Sequence, residues 1–163
     1  MGVNEDVPPN DSFMALALTE AEHAAARGEV PVGAVLVQTQ SGRVLAAAGN
    51  RVEELSDPTA HAEMLVLRAA SERLGTTRLV GCELYVTLEP CAMCAAAASF
   101  ARVQRLYFGA YDPKGGAIEH GPRLYAQATI HHRPEVYGGI EEARASELLQ
   151  EFFRSLRDAG RQS

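Results

Sequence analysis

The sequence is poor in the features that mark exported and membrane proteins. Its 163 residues include three cysteines, Cys82, Cys91 and Cys94, which argue against a disulfide framework in a chain without an export signal. The N-terminal MGVNEDVPPN is acidic and polar, where a signal peptide needs a basic and then apolar start. The longest nearly apolar run, residues 91–101, is well short of the ~18 residues that a membrane span requires. We therefore expect a cytoplasmic protein with no membrane partner and with reduced thiols that are free to bind metal.

Positive charge is also in short supply. The net charge is −6 at pH 7, which gives no general attraction for a phosphate backbone. Any nucleic-acid partner must therefore be held by a local basic surface. One stretch, residues 102–135, has a modest excess of five cations over three anions: Arg102, Arg105, Lys114, Arg123 and Arg133 against Asp112, Glu119 and Glu135. That excess is compatible with RNA.

Length and composition fit one domain. A chain of 163 residues that is 47% hydrophobic can bury one sizeable core but is too short for two ordinary domains. Residues 1–10 carry two prolines, two acids and no periodicity, so we interpret them as a mobile arm. The domain is then assigned to residues 11–160.

Apolar periodicity predicts an initial hairpin followed by strands that alternate with helices. The predicted order is a helix from 11 or 12 to 28, strands 31–39 and 42–50, a helix from about 61 to 75, a strand 82–89, a helix to about 101, a strand 104–110, a short strand near 134–138 and a helix over 141–158. The long irregular stretch 111–133 is of a kind that is usually functional. This order implies the α/β class, as a three-layer α/β/α sandwich on a mixed five-stranded sheet.

A candidate metal site lies at the starts of two predicted helices. Cys91 and Cys94 form a Cys-x-x-Cys pair after Pro90, and the best third ligand is His61, which begins another helix. Helix N-termini favour the thiolate that zinc requires. Three ligands leave a fourth position open, as in catalytic zinc sites, whereas structural sites are normally closed by four. Taken alone, the cysteines could instead be a redox pair or core packing.

Glu63 follows His61 by two residues. Zinc lowers the pKa of water from 15.7 toward ~7, and a carboxylate within reach can take the proton and hand it to a nitrogen of the substrate. A non-catalytic zinc module has no use for such a carboxylate. The spacing therefore indicates one zinc ion and a separate acid–base residue.

The chain resembles a known family at these residues. HAE at 61–63 and PCAMC at 90–94 match the H-x-E…P-C-x-x-C signature of zinc deaminases. The wider text VPVGAVLV, DPTAHAE, LYVTLEPCAMC and FGAYDPKGGA is similar to bacterial tRNA-specific adenosine deaminases of the TadA family, over roughly residues 12–158. The resemblance implies a cytidine deaminase-like fold and conversion of adenosine to inosine at the wobble position of a tRNA anticodon stem-loop. It also implies one Zn²⁺ per subunit, held by His61, Cys91 and Cys94, with Glu63 as the proton shuttle.

The resemblance further implies substrate contacts near the zinc. Asn50 corresponds to an asparagine that contacts the flipped base, and Ala62 to a position whose backbone N–H faces the reacting group. Asp112 and Lys114 correspond to loop residues that line the anticodon groove. For these loop charges a merely solvated position is an equal alternative.

In the terminal helix, Phe153 corresponds to a stacking surface over the RNA entrance, and Arg154 or Arg157 to a phosphate contact. For Phe152 and Phe153, packing in the core is the favoured expectation. The small residues 95–98 would let another helix approach closely, which the resemblance links to a homodimer; packing within one subunit is the alternative.

The runner-up function is a free nucleobase deaminase of guanine or cytosine type, followed by a non-catalytic zinc-binding module and a redox protein.

Overall fold

A computed structural model describes residues 10–161 of the chain, with side chains from residue 12 onward. The elements are α1 (Asn10–Ala26), β1 (Gly33–Gln38), β2 (Arg43–Gly49), α2 (Val52–Leu55), α3 (Ala62–Leu74), β3 (Cys82–Leu88), α4 (Ala92–Phe100), β4 (Arg105–Ala110), a 3₁₀ turn (Leu124–Ala126), β5 (Glu135–Tyr137) and α5 (Glu142–Arg161). None of the helices within this range is long and apolar enough to cross a membrane.

The strands form one mixed sheet in the order β2-β1-β3-β4-β5. β1 pairs antiparallel with both β2 and β3, whereas β3, β4 and β5 run parallel. The five-stranded mixed sheet predicted from the sequence is confirmed.

Alternate strand residues serve the two faces of the sheet. On one face, Leu84 and Val86 of β3 pack in a cluster with α3 and α4. On the other face, Tyr85 packs in a second cluster with α1 and α5. Because successive strand side chains point to opposite faces, a strand covered by helices on both sides reads as a continuous apolar run. The three layers predicted from the sequence follow from this alternation.

The carboxyl ends of β3 and β4 define the functional edge. Leu88 pairs with Ala110 at the end of the two strands, and Glu89 N–H donates to the Ala110 carbonyl at 2.8 Å. The chain continues from one strand into Cys91 and from the other into Asp112. Open α/β sheets bind ligands outside such carboxyl ends.

Three boundaries differ from the predictions. Asn10 was assigned to the N-terminal arm, but it begins α1; residues 1–9 of that arm lie outside the described residues. The short helix α2 lies where only a turn-rich segment was predicted, and α5 extends to Arg161, beyond the predicted end at 158. The predicted stop at Gly75 is confirmed: it caps α3 with φ 66°, a left-handed conformation that glycine adopts without strain.

Candidate active site and metal centre

The three predicted metal ligands come together at the starts of two neighbouring helices. His61 is the N-cap residue of α3, Cys91 is the N-cap residue of α4, and Cys94 lies in the first turn of α4. His61 Nδ1 lies 3.6 Å from Cys91 Sγ and 3.5 Å from Cys94 Sγ. The three ligand atoms all lie within 4.8 Å of one another, and over residues 10–161 they are the one such group of metal-ligating side chains found.

These separations fit a tetrahedral zinc ion. With Zn–S near ~2.3 Å and Zn–N near ~2.05 Å, tetrahedral angles place a sulfur and a nitrogen ligand about 3.5–3.6 Å apart. The two measured nitrogen–sulfur distances agree with that value. Since the protein supplies three ligands, a bound zinc ion would keep its fourth coordination position for water or substrate. One zinc ion per chain is therefore the cofactor of this site.

The protonation of the cysteines favours metal binding. Hydrogen bonds to Cys91 Sγ from Cys94 and from His61 lower the pKa of Cys91 to about 4, against the opposing effect of burial. The same contact with Cys91, together with burial, raises the pKa of Cys94. Cys91 is therefore a thiolate at neutral pH, which is the form that zinc binds, and metal binding displaces the proton of Cys94.

Glu63 lies beside the metal ligands but is not one of them. Its side chain is in the first turn of α3 and is 3% exposed. Burial is the main cause that raises the pKa of Glu63 above its usual value. A raised pKa makes the carboxyl group a better proton acceptor than an exposed glutamate, and a proton shuttle must both accept and release a proton.

Asn50 and Ala62 contact each other. Asn50 Oδ1 accepts a hydrogen bond of 2.8 Å from the Ala62 N–H, and the Asn50 backbone is held by Val32 and Arg27. The role that the resemblance gives to the Ala62 N–H stays a prediction; in this structure the donor is bound to Asn50. The contact orients the Asn50 amide, so that its Nδ2 is left to donate to a ligand.

A cavity of about 640 Å³ opens over the metal ligands. Its floor includes His61, Glu63, Cys91 and Asn50. Its volume lies within the range of pockets that bind small molecules. Two of the predicted metal ligands, His61 and Cys91, therefore share one cavity with the predicted proton shuttle and the predicted base contact.

The first half of α5 packs on the core, and its second half covers the cavity. Phe152, Phe153 and Leu156 of α5 all line the cavity, and Phe153 is 44% exposed. The two phenylalanine rings meet edge to face, 5.5 Å apart. The favoured expectation that Phe152 and Phe153 pack in the core is wrong, because both side chains line the cavity and neither belongs to the two core clusters.

A second groove, of about 800 Å³, adjoins the cavity. Phe153 and Asp112 line both, so they stand at the boundary between them. The groove also contains one cation of the loop after β4 and two of α5: Lys114, Arg154 and Arg157. The residues that the family resemblance linked to RNA are thus gathered in one place.

The other predicted basic residues lie elsewhere. Arg105 is paired with Glu83 at 2.8 Å and with Glu135 at 3.1 Å. Arg133 donates to the backbone carbonyls of Tyr125 and Gln127. The five cations of residues 102–135 therefore do not form one basic surface. Of these five, Lys114 alone lines the groove. Cys82 is 1% exposed, as expected for a small buried residue.

Two buried carboxylates beside the cavity were missed by the sequence analysis. Glu29, 2% exposed, accepts hydrogen bonds from the backbone N–H groups of Glu53 and Glu54, and so caps α2. Glu89, 1% exposed, accepts five hydrogen bonds from residues 112–120. Burial alone would raise the pKa of Glu89, but the bonds from His120 and the backbone lower it. For Glu89, one sequence feature could have indicated this role: it is an acidic residue at the end of an apolar strand, two positions before the metal ligand Cys91.

Comparisons with known proteins agree with this site. Residues 8–110 match the cytidine and deoxycytidylate deaminase zinc-binding region. The tRNA-specific adenosine deaminase of Agrobacterium fabrum is 60% identical over 145 residues, which are 89% of this chain and 94% of that protein.

Solved structures are similar in fold. One, from work on A-to-I editing by tRNA:A34 deaminases at the wobble position of transfer RNA, has a TM-score of 0.82 at 60% identity and covers 85% of this chain and 99% of that chain. A guanine deaminase from Bacillus subtilis has a TM-score of 0.60 at 36% identity, covering 64% of this chain and 66% of that chain. Both are therefore similar to this chain in fold.

Proposed function

The chain belongs to the tRNA-specific adenosine deaminase family, and on that premise we propose that it converts adenosine to inosine at the wobble position of tRNA anticodons. The observation that carries the proposal is the position of Glu63, buried in the same cavity as His61 and Cys91 but outside the ligand set. This arrangement separates metal binding from proton transfer, as hydrolytic deamination requires.

Each residue has a distinct role in the proposed reaction. His61, Cys91 and Cys94 would hold the zinc ion, which would supply acidified water as a nucleophile at neutral pH. Glu63 takes a proton released in the attack at C6 of adenine and delivers it to the amino nitrogen, so that ammonia departs and inosine remains. Asn50 Nδ2 holds the flipped base by a hydrogen bond. Phe152 and Phe153 cover the cavity and exclude bulk water.

The groove beside the cavity favours a nucleotide within RNA over a free base. A free base needs only the cavity, whereas a flipped nucleotide needs an adjoining path for its neighbours. Lys114, Arg154 and Arg157 lie along that path as phosphate contacts, and Phe153 stands at its junction with the cavity as a stacking surface. Single-stranded RNA is bound in this way, by stacking on aromatic rings and by backbone charge.

The experiment compares substrates in parallel. The purified protein is incubated with a tRNA anticodon stem-loop that carries adenosine at the wobble position and, separately, with free guanine, cytosine and adenosine. Inosine in the stem-loop supports the proposal, and the apparent affinity should fall as salt rises, because RNA binding releases counterions. Ammonia from free guanine with the stem-loop unchanged would instead identify a guanine deaminase.

We also propose a homodimer that acts in the cytoplasm, where its tRNA substrate is found. Phe100, at the end of α4, is 65% exposed, and with Leu67 and Ala97 it lines a shallow apolar groove between α3 and α4. A second copy packed there would cover this ring. Sedimentation should give a dimer for the wild type and a monomer for Phe100→Glu. A wild-type monomer at micromolar concentration would contradict the dimer without affecting the proposed reaction.

A further inference from the structure

We propose that Glu89 is a positioning residue for the substrate: it holds residues 112–120 as the wall of the cavity and thereby places Asp112 at the boundary with the groove. This inference rests on the proposed function, since it assigns Asp112 a contact with the RNA. Glu89 itself acts through the loop and needs no contact with the base.

The contacts of Glu89 are concentrated on one short loop. Oε2 accepts the backbone N–H groups of Ile118, Glu119 and His120 at 3.2, 3.0 and 3.2 Å. Oε1 accepts the backbone N–H of Asp112 at 3.1 Å and His120 Nδ1 at 2.8 Å. Because the carboxylate only accepts, the proton of the imidazole lies on Nδ1. Five donors from both ends of a nine-residue stretch thus converge on one side chain.

Three consecutive backbone N–H groups around one oxygen form the kind of concavity that binds anions. Here the anion is a side chain of the same molecule. The approach is so close that a Cβ at Gly116 would collide with Glu89 Cδ and Oε2. Since the loop has no regular secondary structure over residues 112–120, its shape depends on this carboxylate more than on a backbone ladder.

The same contacts fix Asp112. Its N–H is bound to Glu89, and its carboxylate Oδ1 accepts the N–H groups of Lys114 and Gly115 at 3.2 and 2.9 Å. The carbonyl of Asp112 accepts the Gly116 N–H at 2.9 Å. Asp112 is therefore held in place through its backbone contact with Glu89, and it lines both the cavity and the groove. Loss of the hydrogen bond to Glu89 would release the backbone of Asp112, which lies at the start of the loop after β4.

A matched control lies on the same strand. Glu83 is also buried, at 7% exposure, and its carboxylate contacts Arg105 at 2.8 Å and the Tyr85 hydroxyl at 3.0 Å. It lies at the opposite end of β3 from the cavity. Glu83→Gln therefore reports what the loss of a buried carboxylate does to the fold alone.

The test is a double-mutant cycle between Glu89→Gln and Asp112→Ala, with KM and kcat measured on the anticodon stem-loop. In Glu89→Gln, one carboxylate oxygen is replaced by an amide NH2, which is a donor. This NH2 must face either the donors now bound to Oε1 or those bound to Oε2, and it can accept from neither. We expect KM to rise about tenfold and kcat to change less than about threefold, the pattern of a lost binding contact. In the Asp112→Ala background, Glu89→Gln should raise KM no further, because its effect passes through Asp112. Glu83→Gln should change KM less than about twofold.

Hydrogen exchange supplies a readout that does not depend on turnover. The amides of residues 112 and 118–120 should exchange faster in Glu89→Gln than in the wild type, and Glu83→Gln should leave them unchanged. If Glu89→Gln fails to fold, His120→Leu removes one of the five donors. It should raise KM about threefold in the wild-type background and not at all with Asp112→Ala.

The outcomes separate the two proposals. Independent KM effects of Glu89→Gln and Asp112→Ala, or unchanged exchange at residues 112 and 118–120, would overturn the role of Glu89. A wild-type protein that forms no inosine while the exchange pattern is as expected would refute the proposed reaction and the RNA contact of Asp112. The clamp on the loop would then stand as a structural fact alone.

Discussion

Replacing Glu63 with glutamine separates the chemistry of the site from its structure. Glutamine has nearly the same shape, so the buried position keeps its packing. The residue is absent from the ligand cluster of His61, Cys91 and Cys94, and zinc binding should therefore persist. What is lost is the ability to accept a proton and deliver it to the amino nitrogen.

The expected loss follows from that single role. General acid–base catalysis by a positioned side chain contributes about 10²–10⁴-fold, and each tenfold corresponds to about 1.36 kcal/mol of activation free energy. We therefore expect kcat to fall about 10²–10⁴-fold, or about 2.7–5.4 kcal/mol in the barrier, with little change in the affinity for the stem-loop. The burial of Glu63, at 3% exposure, makes replacement of its function by bulk water inefficient.

The assay is single-turnover formation of inosine, with zinc content measured on the same samples. Glu72→Gln is the control, since Glu72 lies exposed near the end of the same helix and outside the cavity. It should turn over like the wild type. A fully zinc-loaded Glu63→Gln protein within tenfold of wild-type activity would refute the assignment of Glu63, and a variant that lost both zinc and fold would indicate a structural role.

Other predictions test the metal, the covering helix and the packing. Chelation should abolish turnover and lower the melting temperature, and added zinc should restore both; full activity after metal removal would contradict the metal assignment. Phe153→Ala should raise KM for RNA about fivefold to hundredfold, the worth of one lost base stack, while an unchanged KM would place RNA elsewhere. Gly33→Ala should lower the free energy of unfolding in urea by about 1–3 kcal/mol or more. Its Cβ would collide with the Ala17 carbonyl and lie 2.6 Å from Ala21 N; an unchanged midpoint would show that α1 and β1 are not in this contact.

The metal centre could be predicted because its signal is local. His61 and Cys91 are helix N-cap residues directly after loops, and the spacing of Cys91 and Cys94 places both thiols on one helix turn. The sheet was predictable for a similar reason: alternate residues of β3 reach the two helical layers, so its apolar run is visible in the sequence.

The walls of the cavity were not predictable in this way. Glu89 and Glu29 are bound by backbone N–H groups distant in sequence, and any residue type except proline supplies such a donor. An acid at the end of an apolar strand can be noticed in the sequence, but no side-chain pattern marks the backbone donors that it binds. Phe152 and Phe153 line the cavity instead of the core, and periodicity along the helix does not encode which tertiary surface its apolar residues cover.

The central claim is that this zinc site deaminates the wobble adenosine of tRNA. Its most direct test is nucleoside mass spectrometry of an anticodon stem-loop after incubation with the zinc-loaded protein. We expect inosine at the first anticodon position and nowhere else in the loop. Zinc-loaded, folded protein that leaves that adenosine unchanged would contradict it.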